Sequence, residues 1–228
     1  MKMKILTSLT ACLVVSSGFA QTQSLPPNYK TTFENPDIIV MHVHYAPHEF
    51  VPMHDHSAYP TVYVYLNDSG VVDLKHEGAD GFTAHRPPTH TGAFRISPGM
   101  AERHSVTNQG DVPSDFLRIE LKRIPSDDLK EVFRSEAPAQ PSTPGTKAEF
   151  QDAALKIERT QCPATAPCTI PASSQRSLLV SIGTTKVQTP GNEHTLASGD
   201  TIWLPANENG SVQLSAGAQC LRVILQYP

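Results

Sequence analysis

The sequence predicts an all-β protein built from two small antiparallel barrels, and three observations carry that expectation. Twenty prolines and thirteen glycines punctuate short runs of Val, Ile, Leu and Tyr along the 228 residues, the pattern of strands separated by turns. Helical periodicity is almost absent. The chain also repeats its own landmarks in the same order, which is the signature of a duplicated unit.

Taken in order, the first segment has the layout of a secretory signal peptide. Lys2 and Lys4 precede a mostly apolar run over 5–15, and small residues end at Gly18, Phe19 and Ala20, so residues 1–20 are expected to be removed on export. The apolar run is shorter than the roughly 20 residues that span a bilayer, and Cys12 lies inside it rather than at its end. The expected location is the periplasm or the exterior, with no membrane attachment after cleavage. Losing Lys2 and Lys4 leaves 16 basic residues against 22 acidic ones and moves the formal charge from −4 to −6. An acidic surface disfavours nucleic acid and anionic membranes as partners.

Residues 28–125 are expected to form the first barrel and 148–228 the second. Phe33 before the strand at 38–43 is answered by Phe150 before 155–160, and the strand at 61–66 by 177–182. Gly92 and Pro98 are answered by Gly199 and Pro205 at the same spacing, and 116–121 by 220–225, with offsets of 104 to 117 residues. Between the units, 126–147 reads as a short helix and a linker. Ser126 can cap, Asp127 and Asp128 sit in the first turn, and Leu129, Val132 and Phe133 share a helical face. The proline-rich stretch 137–145 is too polar to join a core.

Nine of the ten histidines lie between His42 and His104. In a strand, residues i and i+2 share a face, so His54 and His56 can converge on one point inside a barrel. His104 is the candidate third member. It follows a turn built by Pro98 and Gly99, in a segment running from Gly92 to Asn108.

These residues resemble the motifs of the cupin superfamily. Its first motif is a His-x-His pair, then Glu, then a hydrophobic strand ending in Gly, matched here by His54, His56, the strand at 61–66 and Gly70. Its second is Gly-x5-Pro-x-Gly-x2-His-x3-Asn, matched by Gly92, Pro98, His104 and Asn108, with the inner glycine moved to Gly99 and the step from proline to histidine one residue longer. Pro60 or Thr61 stands where the family's glutamate would fall. The resemblance implies two cupin-like (double-stranded β-helix, jelly-roll) barrels and a three-histidine metal site in the first, at His54, His56 and His104. The implied cofactor is a divalent metal ion. Imidazole ligands suit Fe, Mn, Zn or Ni, with Fe somewhat preferred by analogy to three-histidine dioxygenases. His44 and Thr61 are expected beside the ligands, with Tyr63, Tyr65, Phe94 and Ile96 shaping the pocket. Glu49 and Glu102 are the nearest carboxylates that could replace the absent acid. His42, His48, His76, His85 and His90 rank lower.

The second unit has no histidine at the place of His104 and no His-x-His pair; His194 is alone. In an oxidising setting Cys162 and Cys168 are expected to bridge, leaving Cys220 buried and reduced, with Cys220 pairing to either as the alternative. The second barrel is a degenerate copy that packs on the first or offers a homodimer surface. Two functions stay open. One is an exported dioxygenase or isomerase acting on a small organic substrate, and the other a non-catalytic periplasmic binding or scaffold protein.

Overall fold

A computed structural model describes residues 25–78, 81–129, 132–135, 143–206 and 210–227. The proposed signal segment and most of the proline-rich linker lie outside the described residues. The architecture is all-β, with no helix among the described residues.

The first half contains β1 (Tyr29–Glu34), β2 (Ile38–Tyr45), β3 (Phe50–His56), β4 (Thr61–Tyr65), β5 (Val72–His76), β6 (Thr83–Arg86), β7 (Phe94–Ser97), β8 (Glu102–Asn108), β9 (Ser114–Leu121) and β10 (Phe133–Arg134). The second contains β11 (Gly145–Gln151), β12 (Leu155–Gln161), β13 (Cys168–Ile170), β14 (Ser177–Ser181), β15 (Thr185–Thr189), β16 (Asn192–Leu196), β17 (Thr201–Leu204), β18 (Val212–Leu214) and β19 (Gln219–Leu225). One sheet of the first half runs β1-β2-β9-β4-β7-β10 and the other β3-β8-β5-β6. The second half repeats both orders, as β11-β12-β19-β14-β17 and β13-β18-β15-β16, except that β10 has no counterpart among the described residues. Gly92 and Gly199, the paired landmarks of the repeat, both sit at positive φ (80° and 85°), where a side chain would be strained.

The two larger sheets meet face to face. Val62, Val64, Leu117 and Ile119 share one buried cluster with Leu155, Ile157, Leu178 and Val223, each contributing about 1.5–3 kcal/mol on burial. The central strands β4, β9, β14 and β19 are therefore buried on both faces, while the edge strands β1 and β11 are largely exposed. On β4, Val62 and Val64 enter this shared core while Tyr63 and Tyr65 turn into the first half's own interior.

One sequence expectation is corrected here. Among the described residues no helix follows Ser126: residues 126–129 form a turn and a bend, and Phe133 and Arg134 add an edge strand opposite Ile96 and Arg95. Phe133 lies 5.6 Å from the Phe94 ring and 5.1 Å from that of Phe150. Aromatic packing and sheet pairing outweigh a local periodicity of eight residues, too short a segment for a helix to hold alone.

Candidate metal centre

The site is built where β3 crosses β8. His54 pairs directly with His104, and His56 with Glu102. Between Val51 and His54 the register shifts, because β3 carries an extra residue at Pro52 and Met53. This bulge lets Val51 and His54, three residues apart, both face inward, after which alternation brings His56 in as well. Proline, with no N–H for the ladder, suits that position.

The three rings form a nearly equilateral triangle. Centroids lie 4.8 Å apart for His54 and His56, 5.0 Å for His54 and His104, and 4.9 Å for His56 and His104. One ring nitrogen from each lies within 4.8 Å of the others, and all three side chains are buried. Both ring nitrogens of His56 and of His104 are buried without a hydrogen-bond partner. Buried polar atoms are rarely left so, and one bare nitrogen from each of these rings, beside one from His54, is what a three-imidazole cation site requires. His54 Nδ1 donates to the Pro52 carbonyl at 2.7 Å, which leaves its Nε2 lone pair free to ligate. In this structure that lone pair accepts from the Tyr29 hydroxyl at 3.0 Å, and Tyr29 in turn bonds Tyr45 at 2.5 Å.

Electrostatics keep the trio neutral. Burial is the main cause of a lowered pKa at each histidine, with His104 brought down to about 3 and His56 pushed further still. The Arg118 guanidinium nearby adds to the effect at all three. A neutral imidazole is the form that binds a metal. Burial also holds the Tyr29 phenol well above its usual pKa, so it stays a proton donor.

Beside the triangle lies a cavity of about 80 Å³, lined by His56 and His104, by Tyr29, Tyr45, Tyr63, Tyr65 and Phe116, and by Glu102, Arg86, Arg95 and Arg118. Arg118 is 4 % exposed; it donates to Glu120 at 2.9 Å and to the Tyr63 hydroxyl at 2.7 Å. Glu102 stands at the cavity wall, 3.9 Å from His104 Nδ1 and from Arg118.

Tyr63 and Tyr65 line the cavity as expected of them, whereas Phe94 and Ile96 do not. Strand pairing sets Tyr63 opposite Arg95, and Val64 and Val62 opposite Phe94 and Ile96. Directly paired residues share a face, so the two apolar side chains go to the shared core and Arg95 takes the cavity side. His44 is likewise misplaced by the sequence reading. It is exposed and its Nδ1 bonds Asp115 at 2.7 Å, because Met41, Val43 and Tyr45 form the inward face of β2. Thr61 is buried, but its hydroxyl donates to the Tyr59 carbonyl at 3.0 Å. Glu49 accepts from Asn28 and from the Ala46 amide, and His48, His85 and His90 sit against Asp111, Asp73 and Asp68. His76 lies closer than its sequence rank suggested, 5.2 Å from the His104 ring and stacked on Phe82.

Tyr29 and the three arginines were missed by the sequence reading. Arg118 carried a signal: on β9, Phe116, Arg118 and Glu120 alternate with Leu117, Ile119 and Leu121, which puts charges on an inner face.

In the second half the corresponding interior has no histidine and is filled mainly by Ile170, Leu179, Val187, Val212 and Leu214, with the buried Arg222 donating to the Ser177 hydroxyl at 2.9 Å and to the Pro171 carbonyl at 3.1 Å. Cys162 and Cys168 are joined by a disulfide, and Cys220 is free and buried, its thiol pushed up to about 12 by burial.

No protein-family model matches the chain, and no curated protein matches it by sequence. Solved structures do. Salicylate 1,2-dioxygenase from Pseudoaminobacter salicylatoxidans, determined as adducts with gentisate, aligns over 83 % of this chain and 68 % of its own, with TM-score 0.57 and 11 % identity. Ylba from E. coli aligns over 90 % and 87 %, with TM-score 0.59 and 12 % identity. AerE from Microcystis aeruginosa aligns over 87 % and 97 %, with TM-score 0.56 and 15 % identity. The fold is that of the cupin proteins. Dioxygenases are among its structural neighbours, and its first half carries a three-histidine candidate metal site.

Proposed function

We propose that the chain is an exported, metal-dependent cupin enzyme that acts on a small organic molecule, as a dioxygenase in preference to an isomerase. The unit at 28–125 carries the site, and that at 148–228 is a copy without ligands. The observation that carries this reading is the buried triangle of neutral histidines with four unpartnered ring nitrogens. The signal-like segment at 1–20 and the disulfide of Cys162 with Cys168 support export.

His54, His56 and His104 would hold the ion, iron(II) by preference. When bound, such a metal supplies redox chemistry with dioxygen, as zinc would supply a Lewis acid. The protein's own groups do the rest. The Pro52 carbonyl fixes the His54 tautomer. The Tyr29 hydroxyl competes for the His54 Nε2 lone pair, so loading the site frees that hydroxyl to face a substrate as a proton donor. Tyr63, Tyr65 and Phe116 give the cavity aromatic walls that exclude water, and Arg118 places a fixed positive charge against it.

Oxygen uptake tests the proposal. Purified protein loaded anaerobically with ferrous iron is expected to consume oxygen with a member of a panel of small organic acids and phenols, while His104→Ala consumes none. Stoichiometric iron with no uptake across the panel would favour the non-catalytic binding or scaffold reading.

A further inference from the structure

Arg86 ends β6 and is 7 % exposed, yet it has no carboxylate partner among the described residues. Its Nη2 donates to Ser114 at 2.9 Å and to Ser69 at 3.2 Å, both neutral hydroxyls. Its guanidinium carbon lies 5.4 Å from the centre of the Tyr65 ring and 5.6 Å from that of Phe116. Its Nε is buried and has no partner. Arg118 is the contrast within the same cavity. Burial works against its charge, but Tyr63, Glu120 and Glu102 together raise its pKa. At Arg86 burial prevails and the pKa falls, as for a cation with no anion beside it. A buried charge without a counter-ion is costly, and proteins seldom keep one without use.

The charges around the cavity give the ligand's valence. Arg86, Arg95 and Arg118 stand against Glu102 and the Glu120 that pairs with Arg118, three positive charges to two negative. The Arg95 Nε is also buried and unpartnered. The volume gives the ligand's size, since about 80 Å³ is below the cavity of about 150 Å³ that holds a benzene ring.

We infer that the cavity takes a small monocarboxylate, smaller than a benzoate, with its carboxylate on Arg86 and its remaining polar group turned toward the histidines. This deepens the enzyme reading by naming the substrate class, and it rests on that reading for the ligand's orientation. A guanidinium fork matches a carboxylate, and the Ser69 and Ser114 hydroxyls hold the fork in place.

Calorimetric titration of the metal-loaded protein with pyruvate, pyruvamide, salicylate and inorganic phosphate tests the inference, with metal content measured on the same samples. Pyruvate is expected to bind at least about tenfold more tightly than each of the others. In Arg86→Met its affinity should fall by about ten- to a hundredfold, with metal content unchanged and a melting temperature equal to or above wild type. Pyruvamide, phosphate or salicylate binding as tightly as pyruvate would overturn it. So would an Arg86→Met protein that melts earlier yet keeps its pyruvate affinity, which is the behaviour of a merely structural cation. Should Arg86→Met fail to fold, the wild-type comparison of pyruvate with pyruvamide decides. Metal retained without a preference for pyruvate sinks the carboxylate site alone, whereas pyruvate preference in a protein that takes up no metal sinks the enzyme reading alone.

Discussion

His104 shows how much one residue's setting decides. Its imidazole is ordinary, but β8 turns it into a space where burial and neighbouring positive charge bring its pKa down to about 3. That has a thermodynamic consequence in the metal-free protein. Between about pH 6.5 and pH 3 the unfolded chain holds a proton on this residue that the folded protein rejects, so stability is lost as pH falls through that window. His54 and His56 are shifted in the same direction and add to the slope. Thermal denaturation of the metal-free protein should show a melting temperature that drops steadily below pH 6.5. The limiting slope is about 1.4 kcal/mol per pH unit for each fully shifted histidine. In His104→Gln the slope should be shallower; an unchanged slope would mean that His104 is not the neutral, buried group described. The histidine pair at His54 and His56 was legible from spacing alone. Arg86 was not, because a lone Arg in a loop-like Arg-Pro-Pro stretch gives no sign that β6 will bury it.

At the scale of elements, β3 and β8 make the site and loops hold them there. Asn108 closes β8, is fully buried, and donates to the carbonyls of Tyr45, Ala46 and Val112 while accepting from the Gly110 amide. The motif asparagine is thus a staple between the ends of β2, β8 and β9. Asn108→Ala strands several buried backbone groups and should cost about 2–4 kcal/mol, read as a lower urea midpoint with an unchanged slope. A change within about 0.5 kcal/mol would show those bonds to be replaceable by water. Gly99 serves the preceding turn: a Cβ there would stand 2.3 Å from the Ala58 carbonyl oxygen, so the displaced motif glycine is a close-approach position. The sequence showed where β3 and β8 lie. It did not show the bulge at Pro52, because alternation assigns faces only while the register is unbroken. The helix expected at Ser126 failed for a related reason, since Phe133 had aromatic partners from both halves that a local pattern cannot show.

Over the whole molecule four sequence landmarks recur in order, and the two sheet orders of the first half recur in the second with β10 left over. What the sequence could not give was the side on which each strand faces the other half. Strands such as β4 and β14 are buried throughout, so hydrophobicity names no outer face. Phe94 and Ile96 were assigned to the pocket for that reason. The shared cluster running from Val62 to Val223 predicts that the halves do not unfold separately. Calorimetry should give a single transition whose van't Hoff and calorimetric enthalpies agree, and two resolved transitions would contradict a common core. The second half thereby acquires a physical role. It covers the outer face of the sheet whose inner face carries Tyr63, Arg95 and Arg118.

The central claim is that three imidazoles share one ion, and metal stoichiometry tests it most directly. Protein reconstituted with a single divalent metal and freed of loosely bound ion should carry one equivalent per chain by elemental analysis, while His54→Ala, His56→Ala and His104→Ala should each carry close to none. Equal metal content in the wild type and in all three variants would contradict the account.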